Sequence, residues 1–272
     1  MTQITRTMIG FVAAGTLFML PAPAKAQAGA KTPLWKAYLA PDDFQEVTKR
    51  SLDRIRVLTR DPRALGSLRA EAVLLAGYTM STTDPAALAG FRQKALKIAQ
   101  LAGESDNAEE ARKAAREILT LRWNVKPVGP AIEWSAAIGD VADLMSPLAA
   151  KAKRGDGIAP ELQYLAKLKT DNGIESLLQS LAAKKLTATN AKKMSRELEL
   201  VGFRVATIAA LTRRRGPHKH KEDAPLWEEQ SVKMRDAAVE LADVAEKKDS
   251  AAILTVSQRL VATCKACHTA FK

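Results

Sequence analysis

Apolar residues recur at three- and four-residue spacing through most of the chain, and alternating β-branched runs are nearly absent. That period belongs to helix faces rather than pleated strands, so the pattern predicts an all-α protein. Pro225 and Leu226 open a helix running to about Lys247, with Val232, Ala238, Leu241, Ala242 and Ala245 on its apolar side. Asp249 and Ser250 cap a last helix that carries Ala252, Ile253, Val256, Leu260 and Val261 toward Cys264. Upstream, Thr189 and Asn190 start a helix through Met194, Leu198, Val201, Val205, Ile208 and Leu211. A further helix is expected from Ile138 to about Lys151, kinked or ended by Pro147, and two shorter ones over 160–169 and 174–186.

The segments also recur in order. Leu74-Leu75-Ala76-Gly77-Tyr78-Thr79-Met80 aligns with Glu199-Leu200-Val201-Gly202-Phe203-Arg204-Val205, at an offset of 125 residues. Ile98 to Asp106 aligns with Leu241 to Asp249 at an offset of 143, and the 18-residue difference falls between Thr212 and Gln230. Two matched blocks in the same order point to an internal duplication. The prolines and glycine of Lys126-Pro127-Val128-Gly129-Pro130 mark the join. The expected division is a leader over 1–26, a first helical repeat over 27–125, a linker over 126–134 and a second repeat over 135–272.

The first segment reads as a secretion signal. A short basic start at Arg6 precedes an apolar run from Met8 to Leu20, and small residues at Ala24 and Ala26 fit a peptidase site after Ala26. The run is too short for a confident membrane span, and no other stretch could cross a bilayer, which leaves a soluble periplasmic chain. The formal net charge of +12 loses Arg6 and Lys25 with the leader and stays strongly basic. A basic surface suits acidic partner proteins or an anionic membrane face. Nucleic acid is not expected, since no recognition motif accompanies the charge.

The only two cysteines stand in Cys264-Lys265-Ala266-Cys267-His268, four residues from the C-terminus. Two thiols at this spacing can form thioether bonds to both vinyl groups of one haem, and the adjacent imidazole is placed to ligate the iron. A Cys-x-x-Cys redox pair usually opens a helix after a strand, and no strand is expected before Cys264. A zinc site needs four ligands, and there is no second cysteine pair. A disulfide across two intervening residues would be strained. The motif therefore points to a single covalent haem c. On the 143-residue offset, Cys264, Cys267 and His268 map onto Leu121, Asn124 and Val125, none of which attaches or ligates a haem.

Residues 131–272, with Cys264, Cys267, His268, Phe271 and Lys272 as the matching positions, resemble the cytochrome c′ type. The resemblance implies an antiparallel four-helix bundle with the haem on its last helix, preceded here by a second helical bundle without haem. In such a bundle the end of the fourth helix lies beside the loop joining helices two and three and beside the start of helix one. The basic loop from Thr212 to Asp223 is then at the haem end. Arg213, Arg214, Arg215, Lys219 and Lys221 become candidates for propionate pairing or partner docking, and Trp227 for packing on the haem edge. His268 is the proximal iron ligand, and Lys272, one turn later, can bias its imidazole. Met145 is the candidate distal ligand, because relatives with a methionine in that helix are six-coordinate, whereas cytochrome c′ proteins leave the site open. Met194 belongs at the opposite end and Met234 in the core. His218 and His220 lie in the basic loop, where neighbouring cations oppose a metal. Relatives of this type usually pair as homodimers.

No peroxidase-like distal His/Arg arrangement or nucleophile triad is present, so the chain reads as an electron carrier and not an enzyme. The competing readings are a five-coordinate haem protein that binds nitric oxide or carbon monoxide, and a helical interaction scaffold stapled by its haem.

Overall fold

The computed structural model describes residues 35–148, 173–217 and 223–271, and among them the chain forms ten α-helices and no strand. A first set comprises α1 (Pro41–Leu58), α2 (Leu65–Met80), α3 (Ala89–Ala102) and α4 (Ala108–Ile118). Two five-residue helices follow, α5 (Trp134–Ile138) and α6 (Val141–Met145). A second set comprises α7 (Ile174–Ala183), α8 (Ala188–Arg215), α9 (Ala224–Glu246) and α10 (Ser250–Ala270). The expected signal segment and the short helix over 160–169 lie outside the described residues. No helix among the described residues is long and apolar enough to cross a membrane.

Local chemistry sets the helix starts. In α1 a proline fixes φ in the first turn, and Asp42 and Asp43 face the positive end of the helix dipole. In α9 Pro225 does the same, as its position in the sequence predicts. The Asp249 side chain accepts from the backbone N–H groups of Ala251 and Ala252 at 3.0 Å each and caps α10. Thr187, rather than Thr189, caps α8 by accepting from Asn190 N–H.

Two helices are buried on every side and form the middle of the molecule. Every residue of α2 from Ala70 to Thr79 is buried, and so is every residue of α8 from Leu198 to Thr212. A helix with no solvent face must be central. These are the two helices that carry the first pair of repeated blocks. They meet at Gly77, where a Cβ would come within 2.5 Å of Thr207 Cγ2. Tyr38 and Thr207 share a hydroxyl–hydroxyl bond of 2.7 Å beside this crossing. Arg204 donates to both carboxylate oxygens of Glu71, at 3.3 and 2.7 Å, and Ser51 donates to the same carboxylate. One apolar cluster runs through both sets, from Phe44 and Ile55 to Ile253 and Leu260.

The expected helix from Ile138 to Lys151 is broken. Gly139 adopts a positive φ of 68°, which ends α5. Asp140 and Asp143 then form a reciprocal capping box that restarts the chain as α6. A 3₁₀ turn over Ser146–Leu148 follows, at the proline expected to disturb the helix. The proline- and glycine-rich join is docked on α3. Gln93 donates to the carbonyls of Gly129 and Pro130, at 3.3 and 2.6 Å. Gly90 admits the Val125 carbonyl, which would lie 1.9 Å from any Cβ there. Trp134, expected at the end of the linker, is the first residue of α5.

Each set has an end where its first and third helices begin and its fourth helix finishes. In the first set Trp123, five residues beyond α4, is wedged between Phe44 of α1 and Phe91 of α3, with ring centroids 5.5 and 5.1 Å away. In the second set that end holds Cys264, Cys267 and His268.

Candidate functional site

The site is built on the last two turns of α10. Positions 264, 267 and 268 are three and four residues apart, so all three side chains share one face of the helix. The helix is held at its far end by the Asp249 cap and along its length by burial of Ile253, Val256 and Leu260. Gln258 donates to the Ala182 carbonyl at 3.1 Å, tying α10 to the end of α7. The Phe271 N–H closes the last turn on the Cys267 carbonyl at 3.0 Å.

Cys264 and His268 line a cleft of about 320 Å³ between α10 and α7. Glu175, Leu178 and Gln179 form its α7 wall, and Val261, Lys265 and Thr269 complete the α10 wall. Leu178 is buried, while His268 is exposed, so the imidazole reaches the opening of the cleft rather than its floor. Both cysteines are free and partly buried. Burial pushes the Cys264 thiol up to about 11, and the Glu175 carboxylate and the Cys267 sulfur add to the shift. Burial likewise raises Cys267. Both sulfurs are therefore neutral thiols at pH 7. Two unbonded thiols and an accessible imidazole on one helical face are the donor set that a c-type haem requires, so these residues fit it. Ser257 lies on the same face, two turns earlier, with a fully buried hydroxyl that has no protein partner.

Around this end the structure sets the other predicted residues apart. Trp227 is buried and donates its indole N–H to the Thr212 carbonyl at 2.9 Å. Its ring meets Phe271 edge-on at 4.9 Å, joining the start of α9 to the end of α10. Arg213 is engaged with Glu228 in an ion pair. Arg214 sits over the Trp134 ring at 5.2 Å, and Arg215 donates to the Gly139 carbonyl at 2.7 Å. These arginines line a separate cleft with Trp134 and Glu133. Met145 ends α6, not a long first helix of the bundle, and packs partly buried against the core. It contributes nothing to the cleft of Cys264 and His268. Met194 and Met234 are buried core residues. Lys272, His218, Lys219, His220 and Lys221 lie outside the described residues.

Glu175 and Gln179 are among the cleft residues that escaped the sequence pattern. Their signal is weak: an acid and an amide one turn apart at the start of a helix are ordinary surface chemistry. Only the pairing of α7 with α10 gives them meaning. Trp123 left a clearer trace, because the 143-residue offset aligns it with Ala266, next to Cys267.

Two comparisons with known proteins bear on the second set. The Cytochrome C′ family profile matches residues 181–272, which span α8 to α10 and the motif. A cytochrome c′ from Rhodospirillum rubrum is 36% identical over 103 residues, covering 36% of this chain and 67% of that protein. No solved structure matches the chain.

Proposed function

The chain belongs to the cytochrome c′ family and is a c-type haem protein, and from that premise we propose that it carries one covalently attached haem c and shuttles electrons in the periplasm. Cys264 and Cys267 hold the group through thioether bonds, and His268 ligates its iron from the face it shares with them. The observation that carries the reading is the presence of two free thiols and an accessible imidazole on the last turns of α10, beside a cleft. When bound, a haem supplies a one-electron Fe(III)/Fe(II) couple. The protein's part is to fix the ligand, exclude water and set the local charge. Trp227 and Phe271 meet edge-on beside His268 and brace the bundle end that carries it. The basic balance of the chain, +12 in formal charge and +10 once Arg6 and Lys25 leave with the leader, favours acidic redox partners. The leader over 1–26 and the compartment in which haem is attached support a periplasmic location. The first helical set, with Leu121, Asn124 and Val125 at the aligned positions, is a repeat without haem.

A second reading is binding of nitric oxide or carbon monoxide at a five-coordinate iron. The placement of Met145 favours it, since that thioether stands on a separate short helix and lines no part of the cleft. Absorption spectra of the protein made in a host competent for cytochrome maturation separate the two. A low-spin reduced haem indifferent to carbon monoxide supports electron transfer by a six-coordinate iron. A high-spin haem that takes up carbon monoxide supports gas binding. A colourless product with the mass of the polypeptide alone overturns both.

A further inference from the structure

Among the described residues, the cleft beside His268 holds one carboxylate, Glu175, which accepts a long bond from Gln179 Nε2 at 3.4 Å. Glu175 stands in the first turn of α7, where the helix dipole favours a negative charge. It is partly buried, with buried Ile174, Leu177 and Leu178 fixing that face of α7 against the core. Its charge reaches α10, since it ranks next after burial in raising the Cys264 thiol. The opposite wall presents His268, one turn beyond Cys264, with its imidazole exposed to the same cleft. Lys265 lines the cleft too.

We propose that Glu175 is the positioning residue for His268: its carboxylate accepts the hydrogen bond from the imidazole N–H that the iron does not use. This rests on the haem reading above. A metal-bound imidazole almost always donates its second N–H to a carboxylate, carbonyl or water, and that partner fixes the ring and raises its basicity. A carboxylate is the strongest of those acceptors because the bond is charge-assisted. Electron density pushed onto the imidazole stabilises Fe(III) over Fe(II), so Glu175 holds the reduction potential down. It also stiffens the iron–imidazole bond. Gln179, one turn further along α7, orients the carboxylate through its amide.

The test uses the full chain, haem-loaded in a maturation-competent host. Glu175→Gln keeps the shape and removes the charge. It is expected to raise the reduction potential and to lower the iron–histidine stretching frequency of the reduced protein in resonance Raman spectra. Glu175→Asp keeps the charge on a shorter arm and is expected to recover part of both shifts. Glu229→Gln, which neutralises an exposed carboxylate outside the cleft, controls for general surface charge and is expected to leave the stretching frequency at its parent value. A Glu175→Gln protein with the parent's potential and frequency overturns the assignment. So does a potential shift that Glu229→Gln reproduces in full without any change of frequency in Glu175→Gln. A parent chain that takes up no haem overturns the underlying functional reading, and the proposal with it.

Discussion

The two helical sets differ most where they correspond. In the second, α10 runs for 21 residues and carries Cys264, Cys267 and His268 on its last two turns. In the first, α4 runs for 11 residues and stops at Ile118, three positions before Leu121, the residue aligned with Cys264. Past that point the chain turns, with Thr120 Oγ1 donating to the Glu117 carbonyl, and Trp123 folds back between Phe44 and Phe91. An indole wedge thus stands in the first set where thiols and an imidazole stand in the second. The lesson is physical. A bundle end left open for a large planar group needs that group or an aromatic substitute, because an unfilled gap costs contacts and stability.

The strongest way to break this contrast is to remove the thiols. Cys264→Ala together with Cys267→Ala is expected to abolish visible absorbance after denaturation and to leave a protein with the mass of its polypeptide. Helical content should survive, because burial of Ile253, Val256 and Leu260 holds α10 independently of the sulfurs. Intact-mass and circular dichroism measurements check both points. A coloured double variant removes the distinction between the two ends.

The next largest effect concerns what joins the sets. Glu71 is fully buried and Arg204 nearly so, with the pair spanning α2 and α8 at 2.7 Å. Glu71→Ala takes the carboxylate away from a buried guanidinium and is expected to cost about 3–5 kcal/mol in urea unfolding. Replacing both residues with methionine should cost much less, since no charge is then left unpaired. Equal losses in the single and double variants would show that the ion pair does not couple the sets. Trp123→Ala comes third, at about 3 kcal/mol, the lower part of the range for losing a buried tryptophan because this one is only partly buried. Its mark should be confined to the first set, so the spectrum of a haem at the other end should not move. A shifted spectrum would mean that the two ends communicate.

Much of this was legible in the sequence, and the reasons are specific. Pro225 and Asp249 announced α9 and α10 because a fixed φ and a side-chain cap act locally. Gly77 and Gly202, each followed by an aromatic, stand out in the aligned blocks, and close helix crossings tolerate no Cβ at either position. Cys264, Cys267 and His268 are a local motif and needed no fold to be read. The break at Gly139 was missed because the apolar spacing continues across it, while a positive φ and a capping box leave no mark on that spacing. Glu175 was missed because its role depends on α7 lying against α10, a contact between residues about ninety positions apart. Arg213 and Met145 were chosen from the bundle topology and the relatives that the resemblance implies. Tertiary neighbours decide their partners: Glu228 for the first and the apolar core for the second.

The smallest prediction separates the two fourth helices by their starts. Asp249 caps α10 with two backbone bonds, whereas Asn107 precedes α4 without a side-chain cap. The N–H groups of Ala252 and Ala251 hold the Asp249 carboxyl below the ordinary aspartate value of 3.8. A carboxylate depressed in the folded state adds stability above its unfolded value, and that stability is lost as pH falls through the folded value. Between pH 7 and about 4 the contribution is present in full; below about 4 it fades. Asp249→Asn can still accept from the same N–H groups but cannot titrate. The melting temperature of the variant should therefore lie slightly under the parent's at pH 7 and converge on it as the pH drops below about 4. Asn107→Asp in α4 is the matching experiment, and with no cap bond to protect it should show no such convergence. Identical pH profiles for Asp249→Asn and the parent would mean that the start of α10 owes nothing to its charge, and that the greater length of the thiol-bearing helix rests on packing alone.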